Sequence, residues 1–337
     1  MNVLSLFDGI SAGRVALERA GIVVNKYYAS EVDTHAIKVS NKNYPDIIQL
    51  GDVTKWREWD IDWSSIDLVI GGSPCQGFSF AGKQLNFDDP RSALFFVFVD
   101  ICHRVADENP KMRFLLENVR MKKEFQDVIT QQMGINPIAI NSSLVSAQNR
   151  YRLYWTNIPN ITEPNDRGIL LRDIILDDVD DKYYLSAEAI DYMSRLRNGK
   201  ERWEYHKNPI DGKAACLTAN MHKGVPYGVM RITGAAQRGR YLVDGKRADH
   251  TVDSMSGITQ QRIEFRDDGK SNCLTSVQKD SLVAINKFAR KLTPIECERL
   301  QTFPDNYTEG ISNSQRYKAL GNSWTVDVIA HIFKNLE

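Results

Sequence analysis

Cysteine is scarce in this 337-residue chain, and what there is does not pair. The five cysteines (75, 102, 216, 273 and 297) are odd in number, and none lies in Cys-x-x-Cys spacing. That argues against a disulfide framework and against a zinc site, so no metal is expected. Long apolar runs are missing too. The start, "MNVLSLFDG", has no basic segment and breaks at Asp8, and no later run approaches the roughly 18 residues that span a bilayer. A cytoplasmic location follows as the expectation, with each cysteine a free thiol and any of them available as a nucleophile. Net charge is also absent, since 43 Lys and Arg balance 43 Asp and Glu. There is therefore no global field to attract nucleic acid.

What is present is a soluble globular composition, 42% hydrophobic and 26% charged, at a length that suggests two domains or one large domain with an insertion. Residues 1–159 alternate between two periodicities. "VLSLF" (3–7), "KYYASEV" (26–32), "DLVIGG" (67–72), "RFLLENV" (113–119) and "RLYWTNI" (152–158) have strand length and are bounded by charge or turn residues. Helical spacing appears in "AGRVALERAG" (12–21), "DTHAIKVSNKNY" (33–44) and "SALFFVFVDICHRVAD" (92–107). Strand and helix in alternation predict an α/β fold, a Rossmann-like doubly wound and mostly parallel sheet. In such sheets ligands bind beyond the carboxyl ends of the strands, so chemistry is sought there.

From 160 to 289 the character changes to Gly, Asp and Arg with short apolar runs, which reads as a second, irregular, β-rich domain. It holds a near-repeat, "GKAACLTAN" (212–220) and "GKSNCLTSV" (269–277). Between Arg195 and Arg247 twelve Lys and Arg face four Asp and Glu; taken alone, that is a solvated basic surface. Residues 290–337 return to helix, with an N-cap at Thr293-Pro294 and a last amphipathic segment, "WTVDVIAHIFKNL".

Several strand ends carry reactive or polar groups. The first runs into "FDGISAG", where Gly9 and Gly13 let the backbone approach a ligand; Glu31 and Asp52 follow at later turns. This is not the GxGxxG pattern. An acidic first turn suits a positively charged nucleoside better than a dinucleotide, and three unrelated loop residues remain the bland alternative. In "GGSPCQGFSFAG" (71–82), Cys75 comes after the apolar run has ended, behind two glycines and a proline that stiffens the turn. A buried filler belongs inside the run; a thiol at this point suits nucleophilic catalysis. Glu117 interrupts the apolar "LLENV", either to bind a ligand or to cap the next helix. In "QNRYR", Gln148, Arg150 and Arg152 alternate and share one face of an extended chain, so the arginines could hold an anion or orient Glu117.

In that order and spacing, "FDGISAG", "PCQ", "ENV", "QNRYR", "RKLTPIECERLQTFPD" and "GNSW" resemble the motifs of the cytosine-C5 DNA methyltransferase family along nearly the whole chain. The wording "LFDGIS" and "LYWTN" leans to the branch that includes the de novo-type enzymes and many phage and bacterial relatives. The resemblance implies that Cys75 adds to C6 of a flipped cytosine, that Glu117 binds N3 and the exocyclic amine, and that Arg152 holds O2, with Arg150 and Gln148 supporting. It implies S-adenosylmethionine as cofactor, held by Phe7, Asp8, Gly9, Ile10, Gly13, Glu31, Val32, Asp52, Val53, Pro74, Asn322 and Ser323. Residues 1–159 become the catalytic domain, 160–289 the target-recognition domain, and 290–337 a return to the catalytic domain. Double-stranded DNA becomes the partner, with the 79–91 lid, Gln84 and Arg91 in particular, and Arg231, Arg238 and Arg240 in contact with it. The expected molecule works as a monomer, alongside a restriction endonuclease if one exists, in the cytoplasm of a bacterial or phage-infected cell. A transfer-RNA methylating branch and a catalytically silent relative are the alternatives; the long recognition segment weighs against the first, the retained Cys75 and Glu117 against the second. Two departures stand out: Ser92 where the family has Gly, and Asp327 where proline is common.

Overall fold

A computed structural model describes residues 1–73, 90–198, 200–202, 208, 212–231, 236–240, 242–243, 246–247, 260–264 and 289–336, with backbone alone at 90–92, 187, 196–197, 200–201, 231 and the strands between 236 and 264. Its centre is a seven-stranded sheet formed by β1 (Asn2–Leu6), β2 (Lys26–Ser30), β3 (Ile48–Gln49), β4 (Leu68–Gly71), β5 (Arg113–Val119), β6 (Ile138–Asn141) and β7 (Tyr151–Thr156), in the order β3-β2-β1-β4-β5-β7-β6. The first five in that order run parallel, and β7 is antiparallel to both its neighbours. The expected doubly wound, mostly parallel sheet is therefore what forms. β1 and β4 are buried almost throughout because helices cover both faces, which is why they read as continuous apolar runs. Two strands escape that signature: β3 is two residues long at an edge, and β6, "IAIN", is only partly buried.

The antiparallel turn of β7 matters most for the site. Its first residues lie beside the last residues of β5, with Val119 opposite Arg152 and Glu117 opposite Tyr154. Glu117 and Arg152 thus stand on the same face, at the carboxyl edge of the parallel strands.

Helices α1 (Ala12–Arg19), α2 (Thr34–Asn43), α3 (Pro90–Glu108) and α4 (Lys123–Met133) connect these strands. α1 ends at Ala20, and Gly21 follows with φ 77°, as a glycine past a helix end should. Asp33 caps α2 by accepting from the His35 and Ala36 amides. α3 drives Phe95, Phe98 and Val99 into a core with Leu4, Leu6, Val69, Leu116 and Trp155. Among the described residues no helix is long and apolar enough to cross a membrane.

The chain divides into two compact units. The first contains residues 1–175, 211–224 and 293–337, and the second 176–210 and 225–292. Within the first, a strap beginning at Gly212 is bonded along the loop before β7: Ala214 N–H donates to Ala147 O, and Asn149 N–H donates to Ala214 O. Lys213 fastens it by donating to the carbonyls of Ser143, Ser146 and Ile169. The strap ends in a 3-10 turn, Ala219–Lys223.

In the second unit, α5 (Ala187–Ser194) is capped by Ser186, and Val229–Arg231 pairs antiparallel with Ala289–Lys291. Ala236–Arg240 pairs with Gln260–Glu264. Leu185, Met193, Val229 and Ala289 form its small core.

The chain then returns to the first unit through α6 (Pro294–Leu300), α7 (Asn313–Asn322) and α8 (Val326–Phe333). Thr293 and Glu296 make a reciprocal capping box at the start of α6. Asp327 is held by three elements: its N–H donates to Thr302 Oγ1, and its carboxylate pairs with Arg19 at 2.6 Å and Arg167 at 2.5 Å. A proline there could make none of these contacts.

Candidate active site

A cavity of about 410 Å³ opens in the first unit at the carboxyl edge of β1, β2, β4 and β5. The first loop reaches it in a tight left-handed path, with φ of 58° at Phe7, 61° at Gly9 and 60° at Ser11. Two of these are non-glycine residues in a region where side chains crowd the backbone. Phe7, Gly9 and Ile10 line the cavity, together with Glu31, Val32, Asp52 and Val53. Glu31 is fixed by the first loop and by its own: Gly9 N–H donates to Oε2, and the Val32 and Asp33 amides donate to Oε1, each at 2.8 Å. Val32 beside it is 67% exposed, an apolar face turned outward without cover. Asp52 accepts from the Thr54 amide and hydroxyl, which hold its pKa below the usual carboxylate value and leave its other oxygen open.

Asp8 and Gly13 are not in the lining. The Asp8 carboxylate points into the structure and accepts from Ser11 Oγ at 2.5 Å and Tyr27 Oη at 2.8 Å. Burial pushes its pKa up to about 6 against the hydrogen bonds that favour its charge. Gly13 packs α1 onto the sheet, since a Cβ there would lie 2.3 Å from Ile70 Cδ1. Both shape the first loop from behind.

The far wall carries Glu117, Asn118, Arg150 and Arg152. Arg152 Nε pairs with Glu117 Oε1 at 2.9 Å, with both side chains mostly shielded. Trp324 Nε1 donates to Glu117 Oε2 at 3.2 Å. Asn118 Nδ2 donates to the hydroxyl of Ser73, a lining residue two positions before Cys75. Glu117 does not cap the following helix, whose N-cap is Lys122.

Gln148, Arg150 and Arg152 do share a face, and what meets that face is the strap. Gln148 Oε1 accepts from Leu217 N–H at 2.7 Å, Arg150 Nη1 donates to Leu217 O at 2.9 Å, and Arg152 Nη2 lies 3.9 Å from Cys216 Sγ. Gln148 is fully buried and outside the cavity. Arg150 also donates through Nη2 to the carbonyls of Gly321 and Ser323. Burial and then the neighbouring Arg152 pull its pKa down, but these three carbonyls and Cys216 Sγ, at 3.4 Å from Nη1, hold the guanidinium in place. The first copy of the near-repeat thereby packs behind this wall.

Asn322 and Ser323 reach the cavity from the end of α7, and the Ser323 hydroxyl is buried without a partner among the described residues. A buried hydroxyl in that condition has hydrogen-bonding capacity to offer a ligand.

Pro74, Cys75 and Gln84 lie outside the described residues, as do the side chains of Arg91, Arg231, Arg238 and Arg240; the backbone of Arg91 is in α3 and that of the other three in strands of the second unit. Among the residues at or beside the cavity that sequence reasoning left unassigned are Gly72, Ser73, Asn118 and Trp324. All four sit inside or beside the motifs quoted above, but nothing in their spacing ties them to Glu117.

A family profile for C-5 cytosine-specific DNA methylase matches residues 1–337. The type II methyltransferase M.HpaII of Haemophilus parainfluenzae is 30% identical, with 97% of this chain and 86% of that protein covered. The orphan methyltransferase M.SPRI of Bacillus phage SPR is 28% identical over 100% of this chain and 97% of its own. Among solved structures, the Entamoeba histolytica methyltransferase EhMeth superposes with a TM-score of 0.65 at 17% identity, covering 100% of this chain and 99% of that one, a likeness of fold. With residues 1–337 matched by that profile and the sheet shared with solved methyltransferases, the chain belongs to the C-5 cytosine-specific DNA methylase family.

Proposed function

We propose that the chain methylates C5 of a flipped-out cytosine in a specific duplex DNA sequence, through a covalent bond between Cys75 and C6. The observation that carries the reading is the pairing of Glu117 with Arg152 at 2.9 Å in the wall of the cavity that Glu31, Asp52 and Ser323 also line. One cavity then offers groups for a pyrimidine edge and groups for a cationic nucleoside.

Fit to S-adenosylmethionine rests on the donor set. Glu31 can accept from ribose hydroxyls, the second oxygen of Asp52 from an adenine amine, and Val32 offers an apolar face; the Ser323 hydroxyl, unpartnered among the described residues, and Asn322 suit the amino-acid end. The volume lies within the range of about 300–1,000 Å³ usual for small-molecule sites. When bound, this cofactor supplies an electrophilic methyl group.

The chain's residues do the rest. The Cys75 thiolate forms a bond to C6, and the displaced π electrons leave C5 enamine-like. Glu117 accepts from the exocyclic amine and, as the acid, donates to N3, Arg152 donates to O2, and the donors at N3 and O2 favour the negative charge that develops on the ring. After C5 is methylated it loses its proton, the electrons return to the ring, and the C6–S bond breaks to free the thiolate. A stacked cytosine cannot be attacked this way, so the base must leave the helix. Residues 160–289 serve as the target-recognition segment, with Arg231, Arg238 and Arg240 on DNA.

Cys75→Ala should abolish methyl transfer to duplex DNA and keep cofactor binding. Duplex DNA containing 5-fluorocytosine should form an adduct with the wild type that survives denaturing electrophoresis and is absent in the variant. Full activity of Cys75→Ala, or an equal adduct with it, overturns the covalent mechanism.

A further inference from the structure

Glu117 is held by two donors, one of which comes from the far end of the chain. Arg152 Nε meets Oε1 at 2.9 Å, and Trp324 Nε1 meets Oε2 at 3.2 Å. The terminal torsion of a glutamate is broad and roughly two-fold, so a single ion pair leaves the carboxylate plane free to turn. Donors on both oxygens define that plane. An indole N–H can only donate, so its partner must be an acceptor.

The indole is itself aimed by its neighbours. Ser323 O accepts from Arg150 Nη2 at 2.7 Å and from Gln301 Nε2 at 3.1 Å. Thr325 Oγ1 donates to Gln301 Oε1 at 2.8 Å and accepts from Ser142 Oγ at 2.9 Å. The backbone is thus pinned on each side of Trp324. Gly72 supplies the space: a Cβ there would lie 3.0 Å from Glu117 Oε2 and 3.0 Å from Trp324 Nε1. Glu117, Arg152 and Gly72 line the cavity, and Trp324 does not.

We infer that Trp324 is a positioning residue that fixes the Glu117 carboxylate through its indole N–H, beside a glycine at position 72 whose missing side chain leaves both partners their room. The inference rests on the proposed role of Glu117 at the target base. Trp324 stands outside the cavity and its indole N–H is bonded to Glu117, a lining residue; its ring also packs at Gly13 behind the first loop, so an unchanged KM for the cofactor is what sets the positioning role apart from space filling.

The test is a double-mutant cycle on the full-length protein. Single-turnover methyl transfer to duplex genomic DNA propagated without the enzyme is measured for wild type, Trp324→Phe, Glu117→Gln and the double variant. Trp324→Phe should slow the rate about tenfold, with KM for the cofactor within about twofold, because the lost bond acts on the base and not on the cofactor. The double variant should be no slower than Glu117→Gln alone. A full rate for Trp324→Phe, or losses that multiply in the double variant, overturns the inference and leaves the role of Glu117 standing. A full rate for Glu117→Gln overturns the proposed role of Glu117 and this inference with it. Should Trp324→Phe fail to fold by thermal melting, Trp324→Met, which also lacks the indole N–H, takes its place in the same cycle, with the same outcomes decisive.

Discussion

Acidic side chains around the first loop have opposite electrostatic fates. Asp52 sits at the surface with two bonds from Thr54 and is held ionised, whereas Asp8 is shielded and its pKa rises to about 6 from an ordinary 3.8. With the folded value above the unfolded one, the folded state binds more protons between these limits. The contribution of Asp8 to stability is therefore complete below about pH 3.8 and is lost as pH rises through 6. Relative to Asp8→Asn, wild type should lose about 1–3 kcal/mol between pH 4 and 7, and the difference should be flat above 7. Urea unfolding of the two proteins across that range measures it, and a parallel pH dependence contradicts the assignment. The same residue shows where spacing misleads: "FDG" matches a cofactor-binding motif, but only the fold reveals that the carboxylate turns inward to Tyr27 and Ser11 while the Phe7, Gly9 and Ile10 positions meet the cavity.

At the scale of elements, the last two helices act as fasteners. α7 can press against the strap because Gly321 has no side chain, a Cβ there falling 2.2 Å from Thr218 C. Gly321→Ala should therefore force the strap or the helix aside and cost about 2–4 kcal/mol, with loss of methyl transfer because Arg150 draws on both Leu217 and Gly321. Asp327 fastens α8. Asp327→Pro should keep the helix, since proline is tolerated in a first turn, but lose the Thr302 bond and both arginine pairs. A destabilisation of about 1–3 kcal/mol is expected by thermal or urea unfolding. Element boundaries were legible where periodicity was strong: α1, α2, α3 and the strands β1, β2, β4, β5 and β7 follow their apolar patterns closely. β3 and β6 were not, because two residues or a half-buried edge leave no alternation to read. α4 carries only Phe125 and Ile129 inward, a thin stripe.

At the scale of the whole molecule, two compact units divide the labour proposed here. If recognition resides in 160–289, exchanging that segment for a relative's should move the methylated sequence, as bisulfite sequencing of DNA from expressing cells would record. DNA binding should weaken steeply with salt through the Lys and Arg of that segment. An unchanged target site would place recognition elsewhere. The unit boundaries carry a lesson of their own. Residues 211–224 follow the irregular domain in composition but belong to the first unit in space, because Lys213 and the alternating face of Gln148, Arg150 and Arg152 supply the donors and acceptors that hold them there.

By itself the sequence determined the sheet class, the order of the motifs and the identity of Glu117, Arg152, Glu31 and Asp52 as groups at strand ends, because apolar period and turn chemistry are local properties of a chain. Only the tertiary structure decided which neighbours those groups have. The antiparallel β7 brings Arg152 beside Glu117, the strap occupies Arg150, and a tryptophan 207 residues along the chain completes the carboxylate's bonds through the space left by Gly72. Contacts between distant segments depend on the register and packing of the whole fold, and no local pattern encodes them.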